Sequence, residues 1–429
     1  MDYKKYFMAA SVFGLFVATS TFAQTAEIAD WSGFRKGAAS FTFDDGAPSH
    51  VSDGGPLFDK YGYKATFNLV TKWNPDWSGF GNLAKNGHEI ASHSVNHGNP
   101  MGDDEIASSK GIINGQIQQK YGLVTLAYPN CTVPNEGMVL QNYIVGRICN
   151  GSWKGFDDDM SKDGPRNWAQ VPAIMTGAEG SLKSTNDFTG KMQSAVQNNR
   201  WVAFLTHGFQ NKNNGSATYS PTDIGAIEGA LKWAKDNDKD IWVAPMGHVA
   251  MYIKERKSSK IEEQDGGSAN SKSFTLKHEI ADDISKYDYP LSIRVKTDWT
   301  NVEVTQDNAK LESKVDGGYV YFDAVPNAGN IVVKNAAAIE SSSSSEIESS
   351  SSENPEGIID MPNTFQHAVY ASNGYIAVSG SQGETVTVFN SLGHKLRTTR
   401  ILGCEQKVYT GAKGVYIVRV GRQTFKVKL

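Results

Sequence analysis

Short apolar runs alternate with helical stretches between residues 36 and 255, and this alternation restricts the fold more than any other feature of the chain. Strands are predicted at residues 40–43, 64–70, 88–94, 123–128, 143–148, 201–207 and 240–245. Helical stretches such as residues 103–122 and 222–237 lie between several of them. Apolar strands that alternate with helices are typical of parallel βα units. The pattern therefore predicts an α/β fold with an irregular (β/α) barrel, in which functional side chains lie at the carboxyl ends of the strands.

A run of serine and glutamate at residues 340–357 divides the chain. Such a stretch cannot bury apolar surface, so it is predicted to be a flexible linker. On its N-terminal side we expect a barrel domain at residues 24–258 and a small β-sandwich at residues 273–337, with a polar break over 256–273 between them. On its C-terminal side, alternating residues predict a small β domain at 358–429.

The first 23 residues have the features of an export signal. Lys4 and Lys5 precede an apolar run, and small residues around Phe22 favour cleavage after Ala23. The run is too short to span a bilayer comfortably, and no other segment comes close, so we expect no transmembrane segment and a mature protein outside the cytoplasm. The 429 residues carry a net charge of −4 with no basic stripe, which argues against a nucleic acid partner.

Export affects the interpretation of the three cysteines. Cys131 and Cys149 lie in one predicted domain, and Cys404 is remote from both. In an oxidising compartment Cys131 and Cys149 can form a disulfide, which would contribute about 3 kcal/mol by its effect on the unfolded chain. The alternative is three free thiols, and the sequence leaves both open.

Acidic and imidazole side chains follow three of the predicted strands. Asp44 and Asp45 end the first strand, His93 and His97 follow the strand at 88–92, and His207 ends the strand at 201–205. Taken singly, each is more often a solvated or satisfied polar residue. Together they would lie at one barrel rim, where two imidazoles and one carboxylate form an open zinc-type ligand set. Such a metal lowers the pKa of bound water to about 7, and the second aspartate could accept the proton of that water.

Three motifs carry a family resemblance. TFDDG at 42–46, HSVNH at 93–97 and LTH at 205–207 resemble motifs of the NodB-type polysaccharide deacetylases, carbohydrate esterase family four, over roughly residues 36–255. The resemblance implies a barrel that hydrolyses acetyl groups of polysaccharides with one divalent metal ion, for which zinc or cobalt is expected. It implies these roles: Asp45, His93 and His97 as metal ligands, Asp44 as general base, His207 as general acid, and Leu205 as a wall of the acetyl pocket.

The third motif of the family departs from its usual form, Arg-Pro-Pro-Tyr-Gly. The corresponding stretch is AYPNC, residues 127–131, with Ala127 in place of the arginine, Asn130 in place of the tyrosine and Cys131 in place of the glycine. The contact that this tyrosine makes with the oxyanion comes from its backbone N–H. Asn130 is therefore expected to supply the same contact.

Other positions are open to two interpretations. Arg147 or Arg166 can replace the missing arginine, which in the family holds the catalytic aspartate. Trp168 is a candidate pocket wall or an ordinary core or surface tryptophan. Trp73 can stack on sugar rings or cap the barrel. His50 is interpreted as a surface loop residue.

The expected reaction is removal of acetyl groups from a carbohydrate polymer. Export and a long linker suit an insoluble plant-wall polymer, so O-acetyl groups of xylan are the first expectation, with N-acetyl groups of chitin or peptidoglycan as the alternative. The degraded third motif also leaves open a non-catalytic carbohydrate-binding protein on a decayed barrel. The sandwich could bind carbohydrate or simply pack against the barrel.

The C-terminal domain resembles another group of domains. NSLGHKL and GVYIVRV, between strands that end at the last residue, resemble sorting domains of the type IX secretion system. The resemblance implies a Gram-negative bacterium, a type IX machinery as partner, and a protein that is secreted or on the outer cell surface. The alternative is a small carbohydrate-binding module.

Overall fold

The computed structural model describes residues 25–149, 159–265, 267–280 and 287–337, and seven strands between residues 368 and 428. The predicted signal peptide and linker, and Cys404, lie outside the described residues. By its contacts the chain divides into one unit at 1–347 and another at 348–429, which are described separately.

The first unit contains an α/β region. Its strands are β1 (Ala26–Ile28), β2 (Gly37–Phe43), β3 (Thr66–Leu69), β4 (Glu89–Ser92), β5 (Thr125–Ala127), β6 (Val145–Arg147), β7 (Asp159–Ser161), β8 (Ile174–Met175), β9 (Arg200–Thr206) and β10 (Ile241–Val243). Its α-helices are α1 (Gly55–Tyr61), α2 (Trp77–Lys85), α3 (Asp104–Gln116), α4 (Glu136–Asn142), α5 (Thr185–Gln197), α6 (Ile224–Asp236) and α7 (Met246–Ser258). Short 3₁₀ turns span Ser32–Phe34, Thr71–Trp73 and Pro129–Cys131, and a π-helical turn spans His50–Gly54.

The main sheet curls back on itself. Its order is β6-β5-β4-β3-β2-β9-β7, with β10 paired to β2 and β8 paired to β9, and all of these pairs are parallel except β7 with β9. The segment that leads into β8 also bonds to β6, because Ile148 N donates to Val171 O at 2.9 Å and Gly146 N donates to Trp168 O at 2.8 Å. This segment therefore links β6 to β9, which confirms the predicted irregular barrel.

The residues of β2 explain how the barrel places side chains inside. Phe41 and Phe43 lie in the hydrophobic cluster that contains the apolar residues of α1 and α5. Ser40 directly precedes Phe41, and its hydroxyl donates to Ala244 O at 2.8 Å. Because successive side chains on a strand face opposite sides, Asp44 has the same orientation as Ser40, toward the barrel interior.

A β-sandwich follows the barrel, as predicted. Its strands are β11 (Ser259–Glu263), β12 (Ser271–His278), β13 (Leu291–Lys296), β14 (Val302–Gln306), β15 (Ala309–Leu311), β16 (Ser313–Asp316), β17 (Tyr319–Ala324) and β18 (Asn330–Asn335). They form two antiparallel sheets, β1-β13-β17-β16 and β11-β12-β18-β14-β15.

The boundary between barrel and sandwich differs from the prediction. β1, which was assigned to the barrel, pairs with β13 of the sandwich. β11 lies inside the predicted polar break, where only Ile261 is buried and its neighbours Lys260 and Glu262 are exposed. An edge strand with one buried residue has the composition of a loop, which is why the sequence pattern did not reveal it.

The second unit is all-β in its described part. Its strands are β19 (Ala368–Ser372), β20 (Tyr375–Ser379), β21 (Thr385–Asn390), β22 (Lys395–Arg400), β23 (Glu405–Tyr409), β24 (Val415–Val420) and β25 (Gln423–Lys428). They form sheets of order β19-β20-β23 and β22-β21-β24-β25 around a separate valine-rich core. None of the helices in the described part of the chain combines the length and apolar character that a membrane span needs.

Candidate active site

The backbone turns sharply at the two adjacent aspartates that follow β2. Asp44 continues the strand, and its N–H donates to Thr206 O on β9 at 2.8 Å. Asp45 and Gly46 then adopt left-handed backbone conformations, with φ of 75° and 64°. Both carboxylates are buried. The turn therefore gives two adjacent acids separate surroundings and separate partners.

Asp44 is held ionised by two buried partners. Asn68 on β3 donates its side-chain amide to Asp44 Oδ1 at 2.7 Å, and the guanidinium of Arg147 pairs with Oδ2. Burial alone would raise the pKa of Asp44, but Arg147 and the nearby imidazoles hold it well below its usual value. At neutral pH this carboxylate is a hydrogen-bonded anion that can accept a proton from a bound molecule.

Arg147 answers the question of the missing arginine. It lies on β6, and its backbone pairs in register with Ala127 on β5, the position at which the family resemblance places an arginine. The guanidinium thus comes from the adjacent strand and reaches the same carboxylate. Arg166, the other candidate, is exposed.

Asp45, His93 and His97 form the predicted triad. Their ligand atoms lie within 4.8 Å of one another, and Asp45 Oδ1 is 3.5 Å from Nε2 of each imidazole. His93 donates Nδ1–H to Ala127 O at 2.9 Å, which leaves Nε2 with its lone pair toward Asp45. Asp45 Oδ1 is buried and lacks a hydrogen-bond partner among the described residues.

The electrostatics of Asp45 fit a cation. Burial, and after it the negative charge of Asp44, raises the pKa of Asp45 to about 7. A divalent ion would remove this cost by neutralising the carboxylate. The donor set of one carboxylate and two imidazoles suits zinc or a similar ion with positions left for water and substrate. The residues present therefore fit a metal ion.

His97 lies on a loop that α3 holds in place. Glu105 of α3 accepts hydrogen bonds from the backbone N–H groups of Val95 and Asn96, at 2.7 and 2.8 Å. His97 itself has a left-handed φ of 58°. The ring of Trp73 lies against the imidazole of His97, with centroids 4.9 Å apart. Trp73 is 37% exposed. Trp73 is thus a wall of the open side of the triad.

His207 follows β9, which pairs with β2, the strand that leads into Asp44 and Asp45. Its ring is largely buried, Nδ1 has no hydrogen-bond partner in the described part of the chain, and the exposed Tyr219 ring meets it edge-on at 5.4 Å. Burial lowers the pKa of His207, and the charge of Asp44 opposes this shift. His50 donates Nε2–H to His207 O at 2.9 Å and is fully buried. Its interpretation as a surface residue was therefore wrong, because it lies among Phe43, Phe67 and Phe209.

The remaining candidates separate into two groups. Leu205 is buried two residues before His207, on the same face of β9, and Asn130 follows β5 in the turn next to the carbonyl that binds His93. Trp168 lies elsewhere. Its ring packs below Lys254 of α7, with Nζ 5.0 Å from the centroid, and it joins the core beneath the barrel. The assignment of Trp168 to the substrate pocket is corrected accordingly.

A disulfide joins Cys131 to Cys149, with Cα atoms 5.2 Å apart. Asn130 and Cys131 both have left-handed backbones, with φ of 54° and 61°. A non-glycine residue in such a conformation costs on the order of 1–3 kcal/mol, and closing a loop of 18 residues contributes about 3 kcal/mol. The cross-link is thus of a size that can offset the strain of the turn.

Comparison with known protein families gives two matches. Residues 32–133 match the family model described as polysaccharide deacetylase. Residues 360–428 match a domain of unknown function, DUF6383.

Individual relatives are distant. A gellan lyase from Bacillus sp. is 25% identical over 336 residues, which is 73% of this chain, and the chain spans 13% of that protein's length. The Xyl-CE4 domain of a multidomain xylanase from the hindgut metagenome of Trinervitermes trinervoides is 19% identical, with a TM-score of 0.34 over 50% of this chain and 89% of that one.

A family 4 acetyl xylan esterase from Clostridium thermocellum, solved with a cobalt ion, is 16% identical, with a TM-score of 0.32 over 49% of this chain and 89% of that one. The family match covers the strands that carry Asp44, Asp45, His93 and His97. Residues 32–133 thus match the polysaccharide deacetylase family over the part of the barrel that carries the triad and Asp44.

Proposed function

We propose that this chain is a metal-dependent hydrolase that removes acetyl groups from a polysaccharide. The observation that carries the proposal is that two adjacent carboxylates at the end of β2 have different partners and different charge states. Asp44 is held as an anion by Arg147 and Asn68, and Asp45 is buried beside two imidazoles with an unpaired oxygen. A base and a cation site a few ångströms apart are what hydrolysis of an acetyl group requires.

The side chains of this site have distinct tasks in such a reaction. A divalent cation at Asp45, His93 and His97 would supply a more acidic water and polarise the acetyl carbonyl. Asp44 accepts the proton of the attacking water. The backbone N–H of Asn130 donates to the oxygen that gains negative charge. His207, whose lowered pKa makes its imidazolium a ready donor, protonates the leaving oxygen or nitrogen.

The proposed substrate is O-acetylated xylan, with N-acetyl groups of chitin or peptidoglycan as the alternative. The exposed rings of Trp73 and Tyr219 lie beside His97 and His207, at positions where pyranose rings could stack. Pairing of Arg147 with Asp44 weighs against a decayed, non-catalytic barrel. We also propose delivery to the outer surface of a Gram-negative cell, with residues 358–429 as a type IX sorting domain.

Acetate release tests the activity and the bond. Protein loaded with zinc or cobalt is assayed on acetylated xylan, on chitin oligomers and on peptidoglycan, with Asp44→Asn as the control. We expect wild-type protein to release acetate from xylan, and Asp44→Asn to keep its metal but turn over about 10²–10⁴-fold more slowly. Equal release by both proteins would contradict the role of Asp44, and no release from any polymer would contradict the proposed function.

Metal content tests the ligands. His97→Ala should lower both metal occupancy and activity, because it removes one of three ligands. His207→Ala is the matched control, since it removes an imidazole of the same site that is not a ligand, and it should lose activity with its metal retained. Full occupancy in His97→Ala, measured by elemental analysis after dialysis, would show that the ligand assignment is wrong.

A further inference from the structure

The turn after β5 combines an unfavourable backbone with weak internal bonds. Asn130 and Cys131 are consecutive left-handed residues, a conformation that glycine adopts freely and other residues adopt at a cost. The hydrogen bonds within the turn, from Cys131 N to Tyr128 O and from Thr132 N to Pro129 O, are long at 3.3 and 3.2 Å. The turn therefore needs an external restraint to keep this shape.

The disulfide supplies that restraint from a strand that is part of the site. Cys149 lies two residues beyond Arg147, which holds Asp44, and Arg147 is in register with Ala127, whose carbonyl binds His93. Cys131 is adjacent to Asn130. The cross-link thus connects the turn to the end of β6, next to the arginine that fixes the proton acceptor.

We infer that Cys131 and Cys149 are positioning residues, whose disulfide holds the Asn130 N–H toward the acetyl oxygen. This inference rests on the proposed function. Without the cross-link, residues 130 and 131 can relax to negative φ, which rotates the peptide groups of the turn. The triad and Asp44 have their own partners outside the turn. Loss of the disulfide should therefore lower turnover without changing metal binding.

The test compares two ways of removing the disulfide. Cys131→Ser/Cys149→Ser keeps a side chain that disfavours the left-handed backbone, whereas Cys131→Gly/Cys149→Ser places glycine there. We expect kcat of the first variant to fall about tenfold, the factor that corresponds to the cost of one left-handed residue, with KM and metal affinity within about twofold of wild type. The glycine variant should recover several-fold of this loss. Cys404→Ser is the control and should match wild type.

These outcomes separate positioning from stability alone. A disulfide that only stabilised the fold would leave kcat unchanged well below the melting temperature, and both double variants would behave alike. Unchanged kcat in the serine variant, loss of metal together with kcat, or no advantage of glycine would each overturn the inference. Reduction of folded wild-type protein, followed by thiol alkylation and assay in excess zinc, repeats the test if the serine variant does not fold.

Hydrogen exchange provides a readout that needs no substrate. On reduction, amides of residues 130–133 should exchange faster, while those of β4 should not change. Equal exchange in oxidised and reduced protein would overturn the inference. If wild-type protein released no acetate from any polymer but exchange still rose in this turn, the proposed function would fail and the role of the disulfide in holding the turn would stand.

Discussion

Arg147 is fully buried, and its guanidinium pairs with a carboxylate whose own burial would otherwise favour the protonated form. Removal of one partner from a buried ion pair leaves an unpaired charge in a low dielectric, which is far more costly than loss of a surface pair. The charge state of Asp44 therefore depends on a residue of another strand. Arg147 and Asp44 should act as a unit in both stability and catalysis.

Replacement of Arg147 tests this dependence. Arg147→Leu should lower the free energy of unfolding by about 3–5 kcal/mol and raise the pKa of Asp44. The acid limb of the kcat/KM profile should then move to higher pH, because Asp44 must be ionised to accept a proton. Arg166→Leu, at an exposed arginine, should change neither quantity. An acid limb that stays in place in Arg147→Leu would contradict the assignment.

Buried histidines should make the protein sensitive to acid. Burial lowers the pKa of His50 to about 4, below the value of about 6.5 expected in the unfolded chain. The unfolded state thus binds more protons between these values, and stability that is present above pH 6.5 is lost as the pH falls toward 4. His50→Gln should reduce this slope by up to about 1.4 kcal/mol per pH unit. Urea unfolding at pH 7, 6, 5 and 4.5 measures it, and identical slopes would contradict the prediction.

Some site residues could be predicted from the sequence because strand ends collect at one rim. Asp45, His93 and His97 follow different strands, and the structure brings their ligand atoms together. Asn68 was missed, although it is an inward-facing polar residue on a strand next to β2. The choice between Arg147 and Arg166 depended on which strand lies beside β5, and the sequence does not contain that information.

At the scale of elements, long periodic segments were predicted and short ones were missed. β9 lies within one residue of its prediction, and β2 ends at Phe43 as predicted but begins three residues earlier. β7 and β8 have only three and two residues and no period. The helix predicted at 103–122 ends at Gln116. Beyond it the side chain of Gln119 bonds to both N and O of Ile90, at 2.9 and 2.7 Å. Because Gln119 uses its side chain to bond the backbone of β4, its position there competes with continuation of the helix.

The start of α7 is fitted tightly to the barrel interior. Glu89 is buried and accepts hydrogen bonds from Gly247 N at 2.9 Å, from the Thr66 hydroxyl at 2.8 Å and from the Thr125 hydroxyl at 2.6 Å. A Cβ at Gly247 would meet the carboxyl of Glu89 and lie 2.5 Å from a methyl group of Val124. The helix can approach Glu89 this closely because residue 247 has no side chain.

Two glycine-to-alanine changes should have opposite effects. Gly247→Ala should lower the free energy of unfolding by about 1–3 kcal/mol, because Glu89 is fixed by three hydrogen bonds and cannot move aside. Gly190→Ala lies in the exposed part of α5, where the new methyl group would meet no described atom within 4 Å beyond its chain neighbours and its own helix backbone, so it should raise this free energy by up to about 1 kcal/mol. Urea unfolding of both variants gives the comparison. Equal changes in the free energy of unfolding would show that the close contact with Glu89 does not determine the effect of Gly247→Ala.

At the scale of the whole molecule, barrel and sandwich share one core. Val249 and Tyr252 of α7 belong to the same buried cluster as Ile293 and Val295 of β13. Glu255 of α7 is buried and accepts a hydrogen bond from Tyr289 N at 3.0 Å. The second unit has its own buried cluster. The boundary between separately packed units thus lies after the sandwich, and barrel and sandwich form one unit.

Two truncations should behave differently. Protein cut after residue 338 keeps the shared core and should unfold cooperatively and retain activity on small soluble acetates. Protein cut after residue 258 exposes the apolar face of α7 and removes the partner of β1, so it should aggregate or melt far below the longer form. Calorimetry measures the stability of both forms, and an assay on a soluble acetate measures their activity. Full stability of the shorter form would contradict a shared core.

The pairing of β1 with β13 also governs the order in which the chain can reach its native state. Ala26 is bonded in register to Val295, 269 positions later. At ribosomal elongation rates of about 5–20 residues per second, the first strand waits on the order of tens of seconds for its partner to be made. The N-terminal strand can therefore join its sheet only after most of the first unit has been made. This contact between residues far apart in sequence predicts slow refolding, because the entropic cost of closing the loop comes before the contacts that stabilise it.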